Sequence, residues 1–107
     1  MKRVVVTGMG IVSSIGNNKT EVLDALKNGK SGIEYCPEYA DFKFRSHVHG
    51  SINIALDELI DRKLKRFMGA SAAYCYVAMQ EAIEDALLDE NNISNNRTGL
   101  IVGQGGS

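Results

Sequence analysis

An α/β fold is predicted for this 107-residue chain, and three observations predict it. A β-branched run from Val4 to Thr7 leads straight into a glycine turn at Gly8 and Gly10. A second apolar run, Leu100-Ile101-Val102, leads into another glycine turn. Between them lie segments whose apolar residues keep helical spacing. Strands at both ends with helices between is the α/β pattern.

The first strand is placed at Arg3–Thr7, a continuous apolar run of the kind buried on both faces. A helix is expected over Lys19–Asn28, because Val22, Leu23, Ala25 and Leu26 form one stripe and Asn17 or Asn18 can cap it. Gly29 ends it, and Gly32 turns the chain again. Residues 33–57 carry a mixed pattern, with Tyr35, Tyr39, Phe42 and Phe44 scattered through it and a short strand expected at Arg45–His49. One long helix is expected from about Asp61 to Leu88, its stripe formed by Leu64, Phe67, Met68, Ala72, Cys75, Met79, Ile83 and Ala86. Gly69 is its weak point, costing ~1 kcal/mol relative to Ala. Asn91–Asn96 reads as a polar loop and Thr98–Val102 as the last strand. Two strands and one long helix cannot close a core unaided. A chain seldom stops just after a central strand and its turn, so residues 1–107 are expected to be the truncated N-terminal part of a larger domain.

Composition narrows the function classes. The chain is 44% hydrophobic and 23% charged, with a net charge of −1. That near-neutral balance argues against bulk attraction to nucleic acid or membrane. No apolar run approaches the roughly 18 residues of a membrane span. The apolar run behind Met1-Lys2-Arg3 is too short, and too interrupted by glycine, for a secretory signal. A cytoplasmic location is expected. Cys36 and Cys75 form no CxxC pair, and lone thiols in a reducing compartment are commonly small buried residues.

Gly8-Met9-Gly10-Ile11-Val12-Ser13 approaches the GxGxxG of a dinucleotide site. Ser13 replaces the third glycine, Gly16-Asn17-Asn18 separates the turn from the next helix, and no acid-tipped second strand follows. A tight turn needing positive φ is the plainer reading of these glycines.

The order of four motifs is more specific. "VTGMGIVSSIGNN", "LKNGKSGI", "RSHVHG" and "LIDRKLKRFM" occur in register, and the chain resembles the β-ketoacyl-[acyl-carrier-protein] synthases of bacterial fatty acid synthesis, most closely the type I enzymes. The likeness is clearest at 1–33, 45–50, 59–86 and 99–106, and weakest at 34–44 and 87–96. It implies the N-terminal portion of a thiolase-like α-β-α-β-α fold, incomplete in this chain, from a homodimer. It implies a condensation in which an acyl-enzyme thioester joins malonyl-carrier protein with loss of CO2. No metal and no resident cofactor are implied, since 4′-phosphopantetheine arrives on the carrier. The catalytic cysteine and two histidines of such enzymes lie in later motifs, so no catalytic residue is expected here. Cys36 and Cys75 read as structural. His47 and His49 share a face if 45–49 is a strand, but two ligands alone are a weak metal site, and both read as structural or surface residues.

Arg62, Lys63, Lys65 and Arg66 crowd the start of the expected long helix, while Glu81, Glu84, Asp85, Asp89 and Glu90 crowd its end. This order opposes the helix dipole, at roughly 0.3–1 kcal/mol per exposed charge. A solvated face and an anion-binding site remain equally open on the residues alone. The resemblance implies the second, with Arg62, Lys63 and Arg66, joined by Arg45, contacting the acidic helix of acyl carrier protein. Lys65 departs from the apolar residue expected there. The same likeness brings the glycine segment at Gly105 and Gly106 near the acyl pocket and dimer interface. Two other functions stay in view: a non-catalytic carrier-binding module or truncated product, and a nucleotide-binding domain using the glycine loop.

Overall fold

The computed structural model describes residues 1–105. In chain order it contains α1 (Lys19–Lys27), β1 (Ile33–Tyr35), α2 (Pro37–Asp41), β2 (Val48–Gly50), α3 (Leu56–Leu59), α4 (Arg62–Lys65), α5 (Ala70–Asp85) and α6 (Glu90–Ile93). The class is mixed α/β, as expected, but the strands are not where the sequence placed them.

Helix α1 follows its local signals closely. Asn18 is the N-cap, and its side chain accepts from the Glu21 N–H at 2.9 Å. Glu21 reaches back to accept from the Asn17 N–H at 2.7 Å, so one donor of the first turn and one just before the cap are matched. At the other end the Lys30 N–H donates to Ala25 and the Gly29 N–H to Leu26, with Gly29 at φ 62°. This is a Schellman stop, and its left-handed residue favours glycine.

The expected strands Arg3–Thr7 and Thr98–Val102 do not form. Val4 is 94% exposed and Ile101 96%, and neither run is paired. An apolar run becomes a strand only where a neighbour supplies the ladder of hydrogen bonds. The strand expected at Arg45–His49 is shifted to Val48–Gly50. Its antiparallel partner lies in the stretch that resisted reading, with Ile33 opposite Gly50, Glu34 opposite His49 and Tyr35 opposite Val48. The His47–His49 pair therefore does not share a strand face. His47 meets Tyr35 edge-on, whereas His49 meets Tyr39 and lies 3.5 Å from a Glu34 oxygen.

The single long helix is also corrected. It breaks between Lys65 and Ala70, leaving α4 and α5 with Gly69 as the N-cap of α5 at φ −71°, ψ 170°. The weak point flagged at Gly69 is a true boundary. The second half ends at Asp85, and Leu87 takes φ 54° in another Schellman stop, its N–H donating to Glu84 and that of Leu88 to Ile83.

The glycine loop is held against α5. A Cβ on Gly8 would lie 2.3 Å from the Ala82 carbonyl oxygen, and one on Gly10 would lie 1.8 Å from that of Ala78. Gly29 is the one glycine of positive φ among the described residues, so Gly8 and Gly10 serve close approach rather than a turn. Two α5 carboxylates complete the contact. Glu81 accepts from the Ile11 N–H at 2.9 Å and the Lys19 N–H at 2.8 Å. Asp85 accepts from the Met9 N–H at 3.1 Å and pairs with the Lys19 ammonium. Two of the five acids that seemed misplaced against the dipole, Glu81 and Asp85, thus have tertiary donors. Asp85 is held below the usual carboxylate range, first by the Lys19 hydrogen bond and next by the Met9 N–H.

The enclosed core is small: the buried apolar residues described are Ala25, Cys36, Ile60 and Ala73. The radius of gyration is 17.0 Å, against about 13 Å for a compact domain of this length.

Three outcomes follow from this packing. Gly10→Ala is expected to destabilise by roughly 1–3 kcal/mol, because the new methyl meets backbone that cannot turn away; denaturant midpoints measure it. Leu87→Gly is expected to stabilise by roughly 0.5–1 kcal/mol through relief of left-handed strain, read as a raised melting temperature. The third concerns acid. Asp85 has its folded pKa depressed, so its contribution is complete above the unfolded value of about 3.9 and fades as pH falls through the folded one. Urea midpoints across pH should show Asp85→Asn less stable at neutrality and less sensitive to acid than the parent. Equal acid sensitivity would contradict the pairing.

Candidate functional site

The basic segment is built from the chain before it. Ile60 is buried and anchors the approach. Asp61 then caps α4, its carboxylate accepting from the Lys63 N–H at 2.8 Å. With the helix so started, Arg62, Lys65 and Arg66 fall at the i, i+3, i+4 spacing that shares one side. They line an open groove of about 370 Å³. Lys63 is exposed but lies outside that groove, as does Arg45, which is exposed in the turn before β2. Of the four expected docking cations, two are thus gathered in one groove.

Charge matching differs along the segment. Among the described residues, no carboxylate pairs with Arg62, Lys63, Arg66 or Arg45. Lys65 is paired, its Nζ 2.5 Å from Oδ1 of Asp57 on α3. Arg66 lies over the Phe67 ring at 5.1 Å from the centroid, and Phe67 is itself exposed. A guanidinium over an aromatic face is held flat without losing its outward donors. Because α4 has only four residues, the helix-dipole contribution expected from one long helix does not apply. The attraction this surface exerts comes from side-chain charge, and it reaches about one Debye length, ~8 Å at physiological salt.

The glycine segment lies elsewhere. Gly105, with Val102, Gly103 and Gln104, borders a groove of about 470 Å³ whose other wall is Ser71, Ala72 and Cys75. Gly106 lies outside the described residues. Cys75 is exposed on this groove, not buried on an apolar face as expected, because among the described residues no helix or strand packs over that side of α5. Cys36 is buried, and its N–H donates to the His47 carbonyl at 2.7 Å. Among the described residues, no three His, Cys, Asp or Glu side chains are grouped to hold a metal ion. No described helix is long and apolar enough to cross a membrane.

The glycine loop does not have the form of a phosphate cradle. Its Met9 and Ile11 N–H groups donate to Asp85 and Glu81. A phosphate would have to displace two carboxylates and occupy space taken by α5 backbone. Glu81 and Asp85 escaped the sequence reading as functional contacts. The available signal was their i, i+4 spacing beside Ala78, Ala82 and Ala86, a face small enough for a glycine loop to lie on.

Residues 1–107 match the family model described as beta-ketoacyl synthase, N-terminal domain. The chain is 60% identical over 105 residues to 3-oxoacyl-[acyl-carrier-protein] synthase 1 of Haemophilus influenzae, covering 98% of this chain and 26% of that protein. It is 50% identical over 107 residues to the synthase 1 of Escherichia coli K12, covering 99% of this chain and 26% of that protein. Similarity to a synthase 2 of Staphylococcus aureus is lower, at 40% over 106 residues. The chain therefore spans about a quarter of the length of the curated relatives it matches.

Proposed function

The chain belongs to the β-ketoacyl synthase family, and from that premise we propose that it is the N-terminal, carrier-docking part of a 3-oxoacyl-[acyl-carrier-protein] synthase. The complete enzyme joins an acyl group, held as a thioester on its cysteine, to malonyl-carrier protein. Loss of CO2 generates the carbanion that attacks the thioester, and the product is 3-oxoacyl-carrier protein. The catalytic cysteine and two histidines belong to the part of the enzyme beyond these residues. Neither the buried Cys36 nor the solvent-facing Cys75 takes that role.

In the complete domain, Val4–Val6 and Leu100–Val102 become central strands of the layered α-β-α-β-α fold. Their exposure supports this reading, since β-branched runs of that kind are found buried on both faces in layered sheets. The enzyme acts in the cytoplasm as a homodimer in fatty acid synthesis. It needs no cofactor of its own, because the phosphopantetheine arm arrives on the carrier. Gly105 approaches the acyl pocket, where the absence of a side chain leaves room.

The observation that carries the docking role is the set of unmatched cations Arg62, Lys63 and Arg66 on one short exposed segment. Charges in that state draw in an acidic partner and raise its association rate in a salt-sensitive way. Arg45, exposed in the turn before β2, supplies a further contact.

The test is Lys63→Glu combined with Arg66→Glu in the full-length enzyme. KM for carrier-bound substrate should rise by about tenfold or more, since two attractive charges become repulsive. The rate at which a small alkylating agent modifies the catalytic cysteine should stay as it was. An unchanged KM would remove the docking role from this segment.

A further inference from the structure

Lys65 lies in the same groove as Arg62 and Arg66, yet its charge is already matched by Asp57. The two members of that pair differ in setting. Lys65 is 29% exposed, whereas Asp57 on α3 is 87% exposed. A carboxylate that open is well hydrated, and an ion pair made to it is weakly held. The Lys65 ammonium has three donors on a rotatable stem, and the described contact to Asp57 uses a single oxygen. An anion entering the groove would meet two fixed guanidinium charges and one ammonium free to turn from Asp57.

Building on the docking reading above, we infer that Lys65 is a further docking cation held in reserve by Asp57, which acts as a resident competitor of the acidic partner. With Asp57 in place the groove presents two unmatched charges and one matched. When a partner carboxylate arrives, Lys65 exchanges one acidic partner for another. The exchange costs little, because the pair it breaks is exposed. It sets carrier affinity below the value the groove could reach, which favours release after each encounter. Lys65 contacts the partner, not the reacting atoms, so its effect belongs in KM and not in kcat.

The test is a double-mutant cycle in the full-length enzyme with acyl-carrier protein as the varied substrate at low ionic strength. Lys65→Met should raise KM about two- to fivefold, the scale of one exposed charge pair. Lys65→Arg should keep KM near the parent value. Asp57→Asn should lower KM by a similar factor, and that gain should fall to less than half when Lys65 is already Met. Arg66→Glu is run alongside. If Arg66→Glu raises KM while Lys65→Met leaves it unchanged, the reserve role is wrong and the docking role stands. If the Asp57→Asn gain persists in full without Lys65, Asp57 acts through its general field, and the reserve role is again wrong. If Arg66→Glu has no effect either, the docking reading falls and this inference with it. A purely structural Lys65 would instead shift kcat and melting temperature together, and Arg would not rescue it.

Discussion

The rest of the structure hangs on the contact between the glycine loop and α5. Gly8 and Gly10 lie so close to the backbone at Ala78 and Ala82 that no side chain fits between them. Glu81 and Asp85 then collect the N–H groups of Met9, Ile11 and Lys19. This fixes the start of α1 to the last turns of α5. From there the contact spreads outward. Gly32 and Gly50 approach Ser14, and the Asn17 amide donates to the Asn53 carbonyl at 2.6 Å. The β1–β2 hairpin is thereby tied to the same loop. A single dense seam of backbone contact does work that a larger apolar core would otherwise do.

Charge is sorted by the same arrangement. The far end of α5 is acidic, but two of its carboxylates are turned inward to backbone donors and Lys19. A third, Glu84, accepts from Gln80 at 3.1 Å, and Asp89 caps α6. The cations at the other end have no such partners apart from Lys65. A nearly neutral chain therefore presents a local cationic surface. The break at Gly69 matters here, since it separates the cationic segment from α5 and lets it stand as its own short turn.

Features encoded by near neighbours were legible in the sequence. The α1 cap at Asn18 and its stop at Gly29 each need only a few adjacent residues, whereas Gly69 was read as a weak point inside one helix and is a break between two. Features needing distant partners were not. Val4–Val6 and Leu100–Val102 have strand composition, but a strand is defined by a neighbour, and none is present beside them. The Ile33–Tyr35 strand was hidden because three residues are too short a run to mark a strand and its register is set by Val48–Gly50. Gly8 and Gly10 drew attention for the wrong reason: spacing suggested a turn, whereas their use is close approach to a helix seventy residues away, a number set by the Ile11–Glu81 bond. At the candidate site, Arg62 and Arg66 share a groove, while Lys63 and Arg45, expected with them, lie outside it. The Asp57 contact to Lys65 was invisible, because the two residues sit on different helices separated by a turn.

These observations join in one account: a tightly seamed segment of a β-ketoacyl synthase N-terminal domain, with unmatched cations that we propose receive an acidic carrier. The most direct measurement is turnover by the full-length protein given acyl-carrier and carboxyl-labelled malonyl-carrier protein. The account predicts one labelled CO2 released for each 3-oxoacyl-carrier protein formed. Absence of condensation from carrier-bound substrates, with the protein folded, would contradict it.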